Sequence, residues 1–153
     1  MKRAEKFRQV HLDFHTSPDI PGIGSRFSKE NFQAALIRGN IDSITVFAKC
    51  HHGVCYYPTE VGTMHPGLDF DLCGAQIEAA HEIGVLAPVY ITAGWSAGDA
   101  DAHPEWVMKR RDGSPITTPN YKPEDPDAPL GHCAWQLLCL NDGGYAHHIY
   151  EIT

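Results

Sequence analysis

Long apolar stretches are missing from this chain: none approaches the roughly 18 to 20 residues that a membrane-spanning helix needs, so a helical span is not expected. Basic runs are missing too. The longest is Lys109-Arg110-Arg111 and the formal net charge is −7, so no positive stripe exists for a phosphate backbone and nucleic acid is not an expected partner. The basic start, Met1 to Arg8, is followed by no apolar signal-peptide core, and the expected location is the cytoplasm. No two cysteines are spaced CxxC. The five present (Cys50, Cys55, Cys73, Cys133, Cys139) are an odd number and read as reduced thiols, small and core-forming, instead of a disulfide framework. Neither GxGxxG nor a Walker motif follows the first strand, so no nucleotide is implied and no cofactor is expected.

What is present is enough for one globular domain over residues 1–153, with 42% hydrophobic residues to build a core. Gln9 to His15 alternates, with Val10, Leu12 and Phe14 on one face and His11, Asp13 and His15 on the other, the pattern of a strand. A Pro- and Gly-containing loop follows. Ser28 then suits an N-cap, with Phe27 and Phe32 spaced as a hydrophobic staple, and the helix runs to about Arg38 with Gly39 as its stop. Ile41 to Lys49 is β-branched and aromatic, a second strand that delivers Lys49, Cys50, His51, His52 and Gly53 at its end. After a long loop, a helix from Asp69 or Asp71 to Glu82 ends at Gly84, and Val85 to Thr92 is the third strand.

Strand, helix, strand, helix, strand is the rhythm of right-handed βαβ units on a parallel sheet. Beyond Trp95 it breaks into an excursion rich in Asp, Pro, Gly and Thr, of the length that usually builds a binding face. The final residues from Gly143 keep helical spacing through Tyr145, Ile149 and Ile152, with no C-cap before Thr153. A closed eight-stranded barrel takes about 250 residues. The fold class expected is therefore α/β, the N-terminal part of a (β/α)8 TIM-type barrel, about three βα units, truncated in its third helix. Such a piece calls for either the missing C-terminal barrel segment or a homo-oligomer.

In parallel α/β folds the ligand lies at the C-terminal ends of strands. Here those ends carry His15, Thr16, Lys49, His51, His52 and Trp95. Imidazoles and an ammonium suit sugar hydroxyls, and an indole suits the pyranose C–H face, so carbohydrate is the expected substrate. Plainer readings stand beside this. His11 taken alone reads as a satisfied rim residue, Trp95 as a rim cap, Tyr56 and Tyr57 as packing beneath the long loop, and His147 and His148 as solvated surface. Asp13, deep on its strand, reads as the buried partner of a neighbouring cation. A metal-dependent hydrolase is the chemical rival, because His11, Asp13, His15, Cys50, His51, His52 and Cys55 are ligand types that zinc or iron accepts, although their spacing matches no closed zinc module.

Phe47-Ala-Lys-Cys-His-His-Gly-Val-Cys-Tyr-Tyr-Pro-Thr59, then His65-Pro66 and Asp71-Leu-Cys-Gly74, resemble the α-L-fucosidase-like glycoside hydrolases, especially their group of hypothetical glycosyl hydrolases. The likeness continues through Ala87 to Ile91, His103 to Trp106 and Leu138 to Asn141. The resemblance implies a retaining glycosidase barrel in which His51 and His52, with His15, hydrogen-bond sugar hydroxyls. It also places the nucleophile and the acid, two carboxylates about 5 to 5.5 Å apart, on strands beyond Thr153. The better-known fucosidases carry Lys-His-His-Asp-Gly-Phe, whereas here Cys50 stands between Lys49 and His51 and no Asp precedes Gly53, which leaves the sugar open. The isolated chain is accordingly expected to be inactive. The alternative is a non-catalytic half-barrel that binds carbohydrate or assembles as an oligomer.

Overall fold

The structure, a computed structural model, describes residues 6–116 and 136–153. Residues 1–5 of the basic start and residues 117–135 of the Pro- and Asp-rich excursion, Cys133 among them, lie outside the described residues.

β2 (Ser43–Lys49) is the centre of the sheet. β1 (Gln9–His11) runs parallel to it on one side, with Val10 opposite Ile44 and His11 opposite Thr45. The strand Val89–Ile91 runs parallel on the other, with Phe47 opposite Tyr90. The two crossovers carry α1 (Lys29–Arg38) and α2 (Leu72–Glu82). These helices touch each other: Lys29 pairs with Glu82, and Gln33 Nε2 donates to the Ala79 carbonyl at 2.9 Å. Both therefore cover the same face of the sheet, and the parallel strands follow one another in sequence order.

Alternation along β2 divides the two faces. Ile44, Val46 and Ala48 are buried with Leu36, Leu72, Cys73 and Ala80 in the main core, where each large aliphatic side chain contributes about 1.5–3 kcal/mol. Phe47 lies on the opposite face, stacked on Tyr90 at 4.3 Å with the rings of His11 and His15 edge-on to it.

Strand one is shorter than its alternation predicts. After Leu12, whose N–H reaches the Thr45 carbonyl at 3.1 Å, the chain leaves the ladder. The Tyr56 hydroxyl takes over: it donates to the Phe14 carbonyl at 2.9 Å and accepts from the Thr16 N–H at 3.1 Å. A side chain thus substitutes for a neighbouring strand, which no periodicity reveals. The expected faces survive in part, since Leu12 and Phe14 pack on the core while Val10 stays exposed. The third parallel strand is shortened for a different reason. Pro88 has no N–H to give, and before it the segment pairs through Leu86 alone, whose N–H donates to the Asp42 carbonyl at 3.1 Å and whose carbonyl accepts from the Ile44 N–H at 2.8 Å.

Helix boundaries follow their caps. Ser28 caps α1 by accepting from the Asn31 N–H, and Phe27 meets Phe32 at 5.6 Å as the staple predicts. Gly39 is not the left-handed stop. It keeps a helical φ of −76°, and Asn40 takes the left-handed turn at +52°. The bonds from Ile41 N–H to Leu36 and from Asn40 N–H to Ile37 complete a Schellman motif around Asn40, a residue that tolerates this conformation better than others with a Cβ. α2 is capped by Asp71 and ends the same way at Gly84, φ +74°.

Between β2 and α2 the chain adds two short strands, β3 (Val54–Cys55), antiparallel to β2, and β4 (Thr63–Met64), parallel to β3. The strand Val89–Ile91 is β5. The segment after Trp95 is more regular than composition suggests: α3 (Ala97–Ala102) and a 3-10 turn, Pro104–Trp106, precede α4 (Gly143–Ile152). Ala100, Trp106, Val107, Leu138 and Tyr145 form a second, smaller core there, anchored by the Tyr145 hydroxyl on the Ala93 carbonyl at 2.7 Å.

Candidate functional site

His51 and His52 sit at the tip of the tight hairpin between β2 and β3. The Cys50 N–H bonds to the Val54 carbonyl at 3.1 Å, and the Gly53 N–H returns to the Cys50 carbonyl at 3.0 Å, leaving the two histidines as the central residues of a turn. Gly53 closes it with φ +89°, a conformation that favours glycine. Space demands glycine as well, because a Cβ there would lie 2.7 Å from the Gly98 backbone. The close approach has a purpose. The first N–H groups of α3, which no helical carbonyl can satisfy, bond to the turn: Ala97 N–H to the His51 carbonyl at 2.8 Å and Gly98 N–H to the His52 carbonyl at 3.1 Å. Ser96 caps the same end through the Asp99 N–H.

The imidazoles form a contiguous row. His15 and His51 have ring centroids 4.2 Å apart, and His51 and His52 4.4 Å. Asp13 Oδ1 lies 3.0 Å from His15 Nε2 and 3.9 Å from His11 Nε2. Burial pushes the His51 pKa down to about 4, helped by His15 and His52 and opposed by Asp13. Burial lowers that of His15 also, against the pull of Asp13. At neutral pH His15 and His51 are thus uncharged imidazoles with one donor and one acceptor nitrogen each, the complement of a sugar hydroxyl. Asp13 departs from its sequence reading. Its side chain is 66% exposed, beyond the point where the chain leaves the ladder, and its partners are His11 and His15 of its own segment.

Lys49 lies beneath this row. Its side chain is fully buried and its ammonium pairs with Asp99, a residue of α3 that sequence reasoning missed. The missed signal is Ser96-x-x-Asp99, a capping-box spacing inside a segment read as irregular. Asp99 in turn lies 3.7 Å from His148 Nε2. His148 is therefore not solvated surface: it packs 5.3 Å from Trp106 beside Tyr145, whereas His147 is exposed and pairs with Glu151 at 3.3 Å. The i, i+3 spacing from Tyr145 puts His148 on the buried face of α4. Trp95, 42% exposed, follows β5 where its backbone bridges to Leu137. Tyr56 is fully buried and Tyr57 half-buried under the loop. His52, Asp99, His103 and His148 line one end of a crevice of about 300 Å³ whose walls include Val61 and Met64.

Among the described residues, no three His, Cys, Asp or Glu side chains converge as a metal would require. Cys50 and Cys55 are buried, and burial pushes the Cys55 thiol up to about 11, away from the thiolate a metal binds.

The chain as a whole has known counterparts. Residues 28–153 match the family described as Hypothetical glycosyl hydrolase 6. The chain belongs to that family. It is also similar to an α-L-fucosidase: the α-L-fucosidase isoenzyme 2 from Paenibacillus thiaminolyticus is 46% identical over 97% of this chain, with a TM-score of 0.82. This glycosyl hydrolase family chain spans only 21% of the length of that Paenibacillus protein. More distant structures share the fold: a Thermotoga maritima α-L-fucosynthase (18% identity, 82% of this chain and 24% of that one, TM-score 0.50) and a maltogenic α-amylase from Thermotoga neapolitana (14%, 94% and 34%, TM-score 0.52). No curated protein matches significantly.

Proposed function

We propose that this chain supplies the sugar-holding part of a retaining, α-L-fucosidase-like glycoside hydrolase, as the first three βα units of a TIM-type barrel. The observation that carries the reading is the row His15, His51, His52, in ring contact at the ends of parallel strands, with His15 and His51 held neutral. Sequential parallel strands with both crossover helices on one face support a barrel over a doubly wound sheet, which would put helices on both faces.

In this reading the histidines bind and orient the glycone. Each neutral imidazole donates to one hydroxyl oxygen or accepts one hydroxyl proton, which fixes the ring before the glycosidic bond breaks. Bond cleavage needs one carboxylate to attack the anomeric carbon and one carboxylic acid to protonate the leaving oxygen. Asp99 and Asp13 do not fit those tasks, since Asp99 is held by Lys49 and Asp13 by His15. The pair comes from elsewhere in the whole protein.

The test is turnover of 4-nitrophenyl α-L-fucoside by the protein that carries this chain, with the β-D-galactoside as comparison. Fucoside cleavage with retention, and a KM raised at least tenfold by His52→Ala, is expected. Turnover indifferent to His51 and His52 substitutions would sink the reading. Binding of L-fucose without hydrolysis by the whole protein would point instead to a non-catalytic carbohydrate-binding half-barrel.

A further inference from the structure

We infer that Asp99 is a positioning residue for the sugar site: through its ion pair with Lys49 and its place in the first turn of α3, it holds the His51-His52 turn in register with His15. The inference rests on the carbohydrate reading above and adds to it a residue that touches no sugar.

The argument is one of mechanical connection. The turn itself carries two hairpin bonds and a left-handed glycine. Its two carbonyls, however, are fastened to the N-terminus of α3 at 2.8 and 3.1 Å, and its Gly53 abuts Gly98 with no room for a methyl group. Where α3 goes, the histidine pair follows. α3 is only six residues long, too short to be stable alone, so something must fix it. Asp99 does so from both sides of its backbone. Its N–H bonds to the Ser96 hydroxyl, and its carboxylate binds the Lys49 ammonium, which is completely buried at the end of the central strand. A buried ammonium without a counter-charge is strongly unfavourable, so the lysine holds the carboxylate and the carboxylate holds the helix. Lys49 immediately precedes the turn in sequence. The ion pair therefore ties together the strand that enters the turn and the helix that caps it. His148 on α4 closes the far side, 3.7 Å from the second carboxylate oxygen.

The experiment uses the protein carrying this chain and the variants Asp99→Asn, His52→Ala and the double variant. The first readout is L-fucose affinity. Asp99→Asn is expected to weaken it about tenfold, His52→Ala by a similar factor, and the double variant no further than His52→Ala alone, because Asp99 acts through the histidine pair. A penalty that multiplies in the double variant overturns the inference. The second readout needs no sugar. Burial, with His15 and His52 against Asp13, holds the His51 pKa down at about 4, so an NMR titration midpoint near that value is expected, and Asp99 is not among the groups that shift it. A rise toward the ordinary histidine value in Asp99→Asn therefore reports a displaced turn, and an unmoved midpoint overturns the inference. Were L-fucose not to bind the unaltered protein, the carbohydrate reading would fail while this titration still decided the positioning role. If Asp99→Asn does not fold, Gly98→Ala loads the same joint, its added methyl lying 3.0 Å from the His52 carbonyl oxygen. The same non-additive loss and the same rise are expected of it, and their absence counts equally against the inference.

Discussion

At the scale of single residues, Gly53 and His51 carry sharp consequences. Replacing Gly53 by alanine places a methyl 2.7 Å from the Gly98 backbone and forces a left-handed φ on a residue with a Cβ. We expect Gly53→Ala to cost about 2 kcal/mol or more in chemical denaturation and to broaden the His51 and His52 resonances. A loss under half a kilocalorie would show that the two backbones do not meet as described. His51 gives a pH prediction. Its folded pKa of about 4 lies below the unfolded value near 6.5, so between those values the unfolded chain binds more protons. Stability is then full above pH 6.5, declines as pH falls from 6.5 to 4, and levels off below. His51→Gln should flatten that part of a melting-temperature profile. An equally steep decline in the variant would assign the effect to other groups. The histidines themselves were legible in sequence, as polar residues at a strand end. Their turn was not, because the glycine that makes it works through a contact with Gly98, far along the chain.

At the scale of elements, local signals proved readable and long-range ones did not. Ser28, Phe27 and Phe32 announced α1, and Ser28→Ala should lower stability by about 1 kcal/mol through the lost bond to the Asn31 N–H. A calorimetric shift too small to resolve would mean that the Phe27–Phe32 contact alone defines the start. The βαβαβ order was legible from periodicity, whereas the early end of β1 was not, because its missing ladder partner is the hydroxyl of Tyr56. Lys49 was visible as a strand-end cation and reads naturally as a ligand contact. Its burial against Asp99 depends on α3, whose six residues are too few to show a period. Lys49→Met, which leaves a buried carboxylate without its cation, should cost about 3 to 5 kcal/mol, and the paired change Lys49→Met with Asp99→Leu should recover most of it. Denaturant midpoints decide this, and equal losses in the single and paired variants would show that Lys49 contributes by packing and not by charge.

At the scale of the whole molecule, the sheet presents two unlike faces. One is sealed by α1 and α2. The other carries His11, His15, Phe47 and Tyr90, and its outer strands β1 and β5 have a free edge among the described residues, with Val89 exposed on β5. Parallel sheets are normally covered on both faces, so this side calls for protein or ligand against it. Expressed by itself, the 153-residue chain is expected to sediment as a dimer or larger species and to show no fucoside turnover. A monomer with a sharp, reversible melting transition would show that the half-covered sheet is self-sufficient.

The meeting of Gly53 and Gly98 also bears on how such a protein can change over generations. A methyl on Gly53 would lie 2.7 Å from the backbone of Gly98, which is already at the minimum, so no shrinking of the counterpart can rescue it, whereas a methyl on Gly98 would meet Gly53 at an ordinary 3.4 Å and press only on the His52 carbonyl oxygen at 3.0 Å. The constraint is therefore stricter at Gly53 than at Gly98, and within a lineage that keeps the turn a change is expected at Gly98 before one at Gly53.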